Sequence, residues 1–177
     1  MPGELSGGFF KPVVSALLMA EVLFPEIKKR IDAMDVSEWY PWDEYIEVVN
    51  TIAAKLSDAS LVKCGVNSVR HNKPFYEANG FHSMGDMMSM FGHAFNAAVR
   101  DAPDNERAHV LESSPNHVVL RFGIVQPRGL CEGYIRGNAI AFDATIDALT
   151  YSAVEDEAGY RYHQFNVRWR EAGQPLS

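Results

Sequence analysis

Pro127-Arg128-Gly129-Leu130-Cys131-Glu132-Gly133-Tyr134-Ile135-Arg136-Gly137 opens a helix that stands between two strand pairs, and its reading decides the fold. Gly133 and Gly137 lie four residues apart, on one face of that helix. A glycine inside a helix costs about 1 kcal/mol relative to alanine. Two on one face point to something packed very close, either a sheet or a ligand. Upstream, Ala108 to Glu112 and Val118 to Val125 alternate or run apolar around Ser113-Ser114-Pro115-Asn116, a hairpin signature. The helix is expected over Arg128 to Asp147. Beyond it, Leu149 to Glu155 and Tyr160 to Trp169 form a second hairpin around Asp156, Glu157 and Gly159. The order strand, strand, helix, strand, strand is that of an α+β fold.

The preceding residues read as helices. Pro12 is expected to open one that runs to about Ala33, bent at Pro25, because proline removes a helical hydrogen bond. Trp39-Tyr40-Pro41-Trp42 makes a turn. From Asp43 to Leu56 the apolar residues Tyr45, Ile46, Val49, Ile52, Ala53 and Leu56 recur at three- and four-residue steps, the periodicity of an amphipathic helix. A shorter helix follows near Ala59 to His71, then a loop between Pro74 and Gly80 that leads to Phe81. Ser83 caps a helix from Met84 to about Val99, with Asp86 in its first turn, where negative charge suits the helix dipole. The whole is one ligand-binding domain over 1–177, its helical part about 9–101 and its sheet and crossing helix about 107–170. Amino-terminal helices pack on a small antiparallel sheet.

At 177 residues, with 47% apolar and 22% charged residues, the chain can bury a real core and is not disordered by composition. A net charge of −7 repels phosphate backbones, and Lys28-Lys29-Arg30 is the only basic run, which argues against nucleic acid as a partner. Cys64 and Cys131 show no short spacing, so neither a disulfide framework nor a thiolate zinc cage is signalled, and a reducing cytosol is the simplest location. The apolar stretch Val13, Val14, Ala16, Leu17, Leu18, Met19, Ala20, Val22, Leu23 is interrupted by Glu21 and falls short of the ~20 residues a bilayer needs. It is read as a buried or dimer-forming helix, not a membrane span.

The carboxy-terminal third resembles the superfamily that joins bacterial 4-vinyl-reductase-type ligand-binding domains, haem nitric-oxide/oxygen-binding domains and subunits of the Golgi tethering complex. The resemblance rests on Leu120-Arg121-Phe122, Pro127-Arg128, Leu130-Cys131, Gly133-Tyr134, Gly137, Phe142, Val154-Glu155, Gly159 and the closing strand Tyr162 to Trp169. It covers roughly residues 80 to 170, and the amino-terminal helices by general character. The phenol-sensing branch implies a zinc site built on a cysteine at this helix, a glutamate and two later cysteines. Cys131 and Glu155 match, but Asp156 to Phe165 holds no cysteine, so zinc is not expected. The haem branch implies a Tyr-x-Ser-x-Arg grip on the propionates and a proximal histidine. Ile124, Gln126 and Arg128 occupy the grip, so only the arginine remains, while His93 falls on the preceding helix near Met90, Phe91 and Phe95. Haem, held by His93 and Arg128, is therefore one reading; an exposed His93 is the other.

No nucleophile elbow, phosphate-binding glycine loop or catalytic dyad is present, and no catalytic residue is assigned. Cys131 near a helix amino terminus reads as either an activated thiol or a buried structural one. Trp39, Trp42 and Tyr45 either frame a pocket or staple two helices. Tyr76, Phe81 and His82 stand beside a methionine-rich helix whose Met87, Met88, Phe91 and Phe95 either line a ligand chamber or fill a core. These residues together suggest a sensor domain with an apolar chamber for an apolar or aromatic small molecule. Such a domain would act as a homodimer and report to a partner protein. The rivals are a haem-binding gas sensor or haem-dependent enzyme using His93, and a structural assembly subunit whose chamber is filled.

Overall fold

The structure is a computed structural model, and it describes residues 3–17 and 19–173. In chain order the elements are β1 (Glu4–Ser6), α1 (Gly7–Ser15), α2 (Ala20–Leu23), α3 (Pro25–Asp32), β2 (Trp39–Pro41), α4 (Trp42–Ala53), α5 (Asp58–Val69) and α6 (Lys73–Ala78). They continue with α7 (Met84–Ser89), α8 (Phe91–Ala97), β3 (Val99–Arg100), β4 (Ala108–Ser114), β5 (His117–Gly123), α9 (Arg128–Ala141), β6 (Thr145–Glu155) and β7 (Arg161–Arg170).

The carboxy-terminal half is a four-stranded antiparallel sheet of order β4-β5-β7-β6, with α9 crossing between its two hairpins. The expected α+β class and the strand, strand, helix, strand, strand order are both present. Alternation explains the faces. Val118, Leu120 and Phe122 of β5 and Phe165, Val167 and Trp169 of β7 turn inward and are buried. Between them, Arg121 donates to Gln164 and the His117 ring bonds Asn166 on the solvent side. Asn116 takes a positive φ of 61° in the first hairpin turn, and Gly159 takes φ 84° in the second.

Several boundaries differ from the expectation, each for a local reason. The helix expected from Pro12 to Ala33 is three pieces. Helix α1 already runs through Pro12, and the chain breaks before α2, where Met19 adopts a left-handed φ of 61°. Pro25 then sits at the first turn of α3, where its missing N–H costs nothing. Leu18 lies outside the described residues. Trp39-Tyr40-Pro41 is a strand and not a turn, because Leu5 of β1 offers Tyr40 an antiparallel partner. Tyr76 belongs to helix α6, not to a loop. The helix after Ser83 breaks at Met90 into α7 and α8, although Ser83 caps it as expected, its Oγ accepting from the Asp86 N–H at 3.0 Å. Helix α9 stops at Ala141, and β6 takes up the residues from Thr145 onward.

The close packing expected at Gly133 and Gly137 is real, but its partner is another helix. A Cβ on Gly133 would fall 2.7 Å from the Cα of Gly65 in α5; one on Gly137 would fall 2.9 Å from the Val66 carbonyl oxygen. Gly129 extends the same stripe one turn earlier, where a Cβ would stand 2.8 Å from the Asp58 carbonyl oxygen. Helices α5 and α9 therefore meet backbone to backbone, and Gly65 answers from the other side. Among the described residues no helix is long and apolar enough to cross a membrane. Val13, Val14, Leu17, Ala20 and Phe24 are buried within the chain itself, which leaves Met19, Val22 and Leu23 as the exposed large apolar side chains among the described residues of that stretch.

Candidate functional site

Helices α1, α5, α6, α7, α8 and α9 do not close completely on one another. Between them lies a cavity of about 570 Å³. Helix α1 contributes Phe9, Pro12 and Val13; α5 contributes Ser68 and Val69; α6 contributes Phe75 and Tyr76. Met87 of α7, Phe91, Ala94 and Phe95 of α8, and Tyr134 and Asn138 of α9 complete most of the wall. The volume falls inside the roughly 300–1,000 Å³ of small-molecule pockets. Phe9 organises the aromatic side: its ring meets Phe95 edge-on at 5.1 Å and Tyr134 at 5.8 Å between centroids. Phe75, 66% exposed, stands at the rim.

Among the described residues the lining carries no aspartate, glutamate, lysine, arginine, histidine or cysteine. Its polar atoms are few and mostly committed. Ser68 Oγ donates to the Gly65 carbonyl at 2.7 Å. The Tyr134 hydroxyl pairs with that of Tyr45 at 3.2 Å, and burial pushes both phenols above their usual range. Burial likewise raises the Tyr76 phenol, so both lining tyrosines are neutral at physiological pH. Asn138 is 1% exposed, and its Nδ2 donates to the Tyr134 carbonyl at 2.9 Å. Its Oδ1 has no protein partner among the described residues.

Of the residues expected at a ligand site, Tyr76, Met87, Phe91 and Phe95 come together on the wall. The others are placed elsewhere. Met88 is fully buried in the core. Phe81 is partly buried against that core. His82 is exposed, and its backbone N–H donates to the Asp86 carboxylate. Trp42 and Tyr45 staple α4 to its neighbours: Trp42 Nε1 donates to Glu106 at 2.6 Å, and the Tyr45 ring meets Phe10 edge-on at 5.3 Å. Trp39 lies under the Arg100 guanidinium, 4.3 Å from it. Phe9, Ser68, Asn72, Tyr134 and Asn138 join the wall without having been expected there. Phe9 lies ahead of the expected helix start at Pro12. Asn138 carried a legible signal, an amide set between Gly137 and Ala139 on an apolar helix face.

His93 is exposed on the outer side of α8, while Phe91, Ala94 and Phe95 of the same helix face the cavity. Arg128 is also outside it. Its guanidinium covers the Tyr151 ring at 4.6 Å and stands 3.8 Å from both Asp58 and Glu132. The lining groups able to reach an iron are a thioether and two neutral phenols. This donor set does not fit a histidine-ligated haem.

Cys131 is fully buried, and desolvation drives its thiol far from the thiolate a nucleophile needs. Cys64 is pushed up to about 12 by burial. Glu155, the other residue of the implied zinc site, is exposed on β6. No group of three or more His, Cys, Asp or Glu is gathered among the described residues.

Beside the start of α9 lies a second polar knot. His163, 8% exposed, bonds Tyr151 Oη through Nδ1 at 3.1 Å and the Gln126 carbonyl through Nε2 at 3.0 Å. A carbonyl only accepts, so Nε2 carries the proton and Nδ1 receives the Tyr151 hydroxyl. Burial lowers the His163 pKa below 6.5; Arg128 and Arg161 add to that effect, and the bond to Gln126 opposes it.

No protein-family model matches the sequence, and no curated protein is significantly similar to it. Solved structures do share its fold. An oxygen-binding H-NOX domain related to soluble guanylate cyclases is 11% identical, with 96% of each chain covered and a TM-score of 0.63. A point mutant of the T. tengcongensis H-NOX is 14% identical, with 97% of each chain covered and a TM-score of 0.60. A structure that probes the function of haem distortion in the H-NOX family is 10% identical, covering 98% of this chain and 100% of that one at a TM-score of 0.65. Nearly the whole chain, helices and sheet together, thus has the H-NOX fold.

Proposed function

We propose that this protein is a small-molecule-binding sensor whose ligand is an apolar or aromatic molecule held in the helical chamber, with occupancy passed to a partner protein. The observation that supports this reading best is the chamber itself: about 570 Å³, walled mainly by aromatic and aliphatic side chains, with no charged side chain among the described lining residues. A ligand there touches α1 and α9 at once, so it favours whichever packing of those helices fits it better, and that difference in affinity is the signal. The H-NOX fold supports a sensing role by likeness. A second copy of the chain, meeting on Met19, Val22 and Leu23, is the homodimer that would carry the change outward.

A thermal-shift panel of neutral aromatic compounds tests this reading, run on the native protein and on Ala94→Trp, which narrows the chamber with an indole side chain. A ligand at 100 times its Kd stabilises by about 2.7 kcal/mol. The melting temperature of the native protein should therefore rise by several degrees, and that of the narrowed variant by less. If neither protein responds to any compound, the protein is a scaffold with a closed core and the sensor reading fails.

Haem is the second reading, and the fold likeness favours it, since one of the solved structures with this fold concerns haem distortion. The chamber wall opposes it, having no imidazole. An absorption spectrum of protein expressed with haem precursor separates the two: the expected result is no Soret band, whereas a Soret band that disappears in His93→Ala would establish haem.

A further inference from the structure

We infer that Tyr151 is an acceptor site for an activated acyl group, with His163 as its base. The site lies outside the chamber, whose wall includes neither residue, so it does not depend on the sensor reading.

A nucleophile, a base and a group that orients the base stand in line. Strand β6 presents Tyr151, 37% exposed, and the neighbouring β7 holds His163, which is buried. The Tyr151 hydroxyl donates to His163 Nδ1 at 3.1 Å, and His163 Nε2–H donates to the Gln126 carbonyl at 3.0 Å. That carbonyl fixes the tautomer, so the ring's basic lone pair is the one that faces the phenol. Burial disfavours the imidazolium and keeps the base neutral at pH 7. The Arg128 guanidinium lies 4.6 Å from the centre of the Tyr151 ring, with Asp58 and Glu132 each 3.8 Å from it. Its positive charge favours the phenoxide character that develops as the proton leaves. A hydroxyl, a base within hydrogen-bond reach and a third group orienting that base are the features of an activated nucleophile. Here the base is buried and the hydroxyl belongs to a side chain at the surface.

In the step, Tyr151 Oη attacks the carbonyl carbon of the donor while its proton passes to His163 Nδ1. An O–C bond forms, the bond from that carbon to the donor's leaving oxygen or sulfur breaks, and the proton moves on from Nδ1 to the departing atom. The product is an aryl ester. Only donors at least as activated can form it, which restricts the class to aryl esters, thioesters and acyl phosphates.

The probe is p-nitrophenyl acetate, with acetylation of the native protein and of His163→Gln followed peptide by peptide by mass spectrometry. Tyr160, 49% exposed just before β7, is the internal reference. A positioned general base contributes about 10²–10⁴-fold, so Tyr151 should react at least about tenfold faster than Tyr160 and lose that advantage in His163→Gln. The pH profile is a second readout. An ordinary phenol, well below its pKa of about 10, gains about tenfold in rate per pH unit. Tyr151 should instead level off above about pH 6.5, where His163 is already neutral; the charged groups bearing on that imidazole are Arg128 of α9, Arg161 of β7 and Asp58 of α5. Should His163→Gln not fold, the plateau in the native protein decides. A Tyr151 rate no higher than that of Tyr160, an advantage that survives His163→Gln, or a rate still climbing about tenfold per unit through pH 8 would overturn the inference and leave the pair a structural bond.

Discussion

Asn138 and His163 show how one buried polar side chain can be bonded at one end only or at both. Asn138 is satisfied only through its nitrogen, so the unliganded protein carries a penalty of about 1–3 kcal/mol at its oxygen. Asn138→Leu should therefore leave the protein as stable or more stable in urea. A loss of more than about 1 kcal/mol would mean that the amide is structural. His163 is satisfied on both sides in its neutral form. Its pKa is lowered in the folded state, so the unfolded chain takes up a proton first as pH falls. The stability it contributes is fully present above about 6.5, the unfolded value, and is lost as pH falls from there toward the depressed folded value. Urea midpoints of the native protein and of His163→Gln, measured from pH 7.5 to pH 5, should converge as the pH drops. A constant gap would contradict the assignment of a neutral, doubly bonded imidazole.

Among the elements, α4 was legible from its periodicity, and α9 from its glycines. Gly133 and Gly137 announced a close contact correctly; which element makes it could not be read, because Gly65 on α5 is an unremarkable glycine until the two helices are brought together. Gly133→Ala places a methyl against the backbone of α5. Overpacking of this kind costs about 1–3 kcal/mol, against about 1 kcal/mol gained from helix propensity, so a fall in melting temperature of up to roughly 8 °C is expected. Gly8→Ala is the contrasting case. A Cβ there would meet only the Val36 carbonyl oxygen, at 3.5 Å, and the change should stabilise by about 0.4–1 kcal/mol. The hairpins were legible because a two-residue alternation and turn residues agree with each other. The amino-terminal helix breaks were not, since the left-handed Met19 has no sequence signal of the kind that glycine gives. The chamber was half legible for a related reason. Periodicity found the α7 and α8 face bearing Met87, Phe91 and Phe95, but not Phe9 or Asn138, whose roles depend on how distant helices meet.

For the whole molecule, the H-NOX fold holds a chamber with a largely apolar wall between its helices. Helices α5 and α9 are clamped by their glycines, while α1, α6 and α8 meet them around an open space. Ligand is expected to tighten that looser side, which would appear as slowed amide exchange in α1 and α8 and little change in β5 and β7. The central claim is that the space is a binding chamber and not a packing defect. A calorimetric titration of indole into the native protein and into Ala94→Trp tests it most directly. The account predicts saturable binding near one equivalent to the native protein and clearly weaker binding to the narrowed variant. Equal binding to both would place the ligand elsewhere on the molecule, and binding to neither would make the chamber an empty gap in the core.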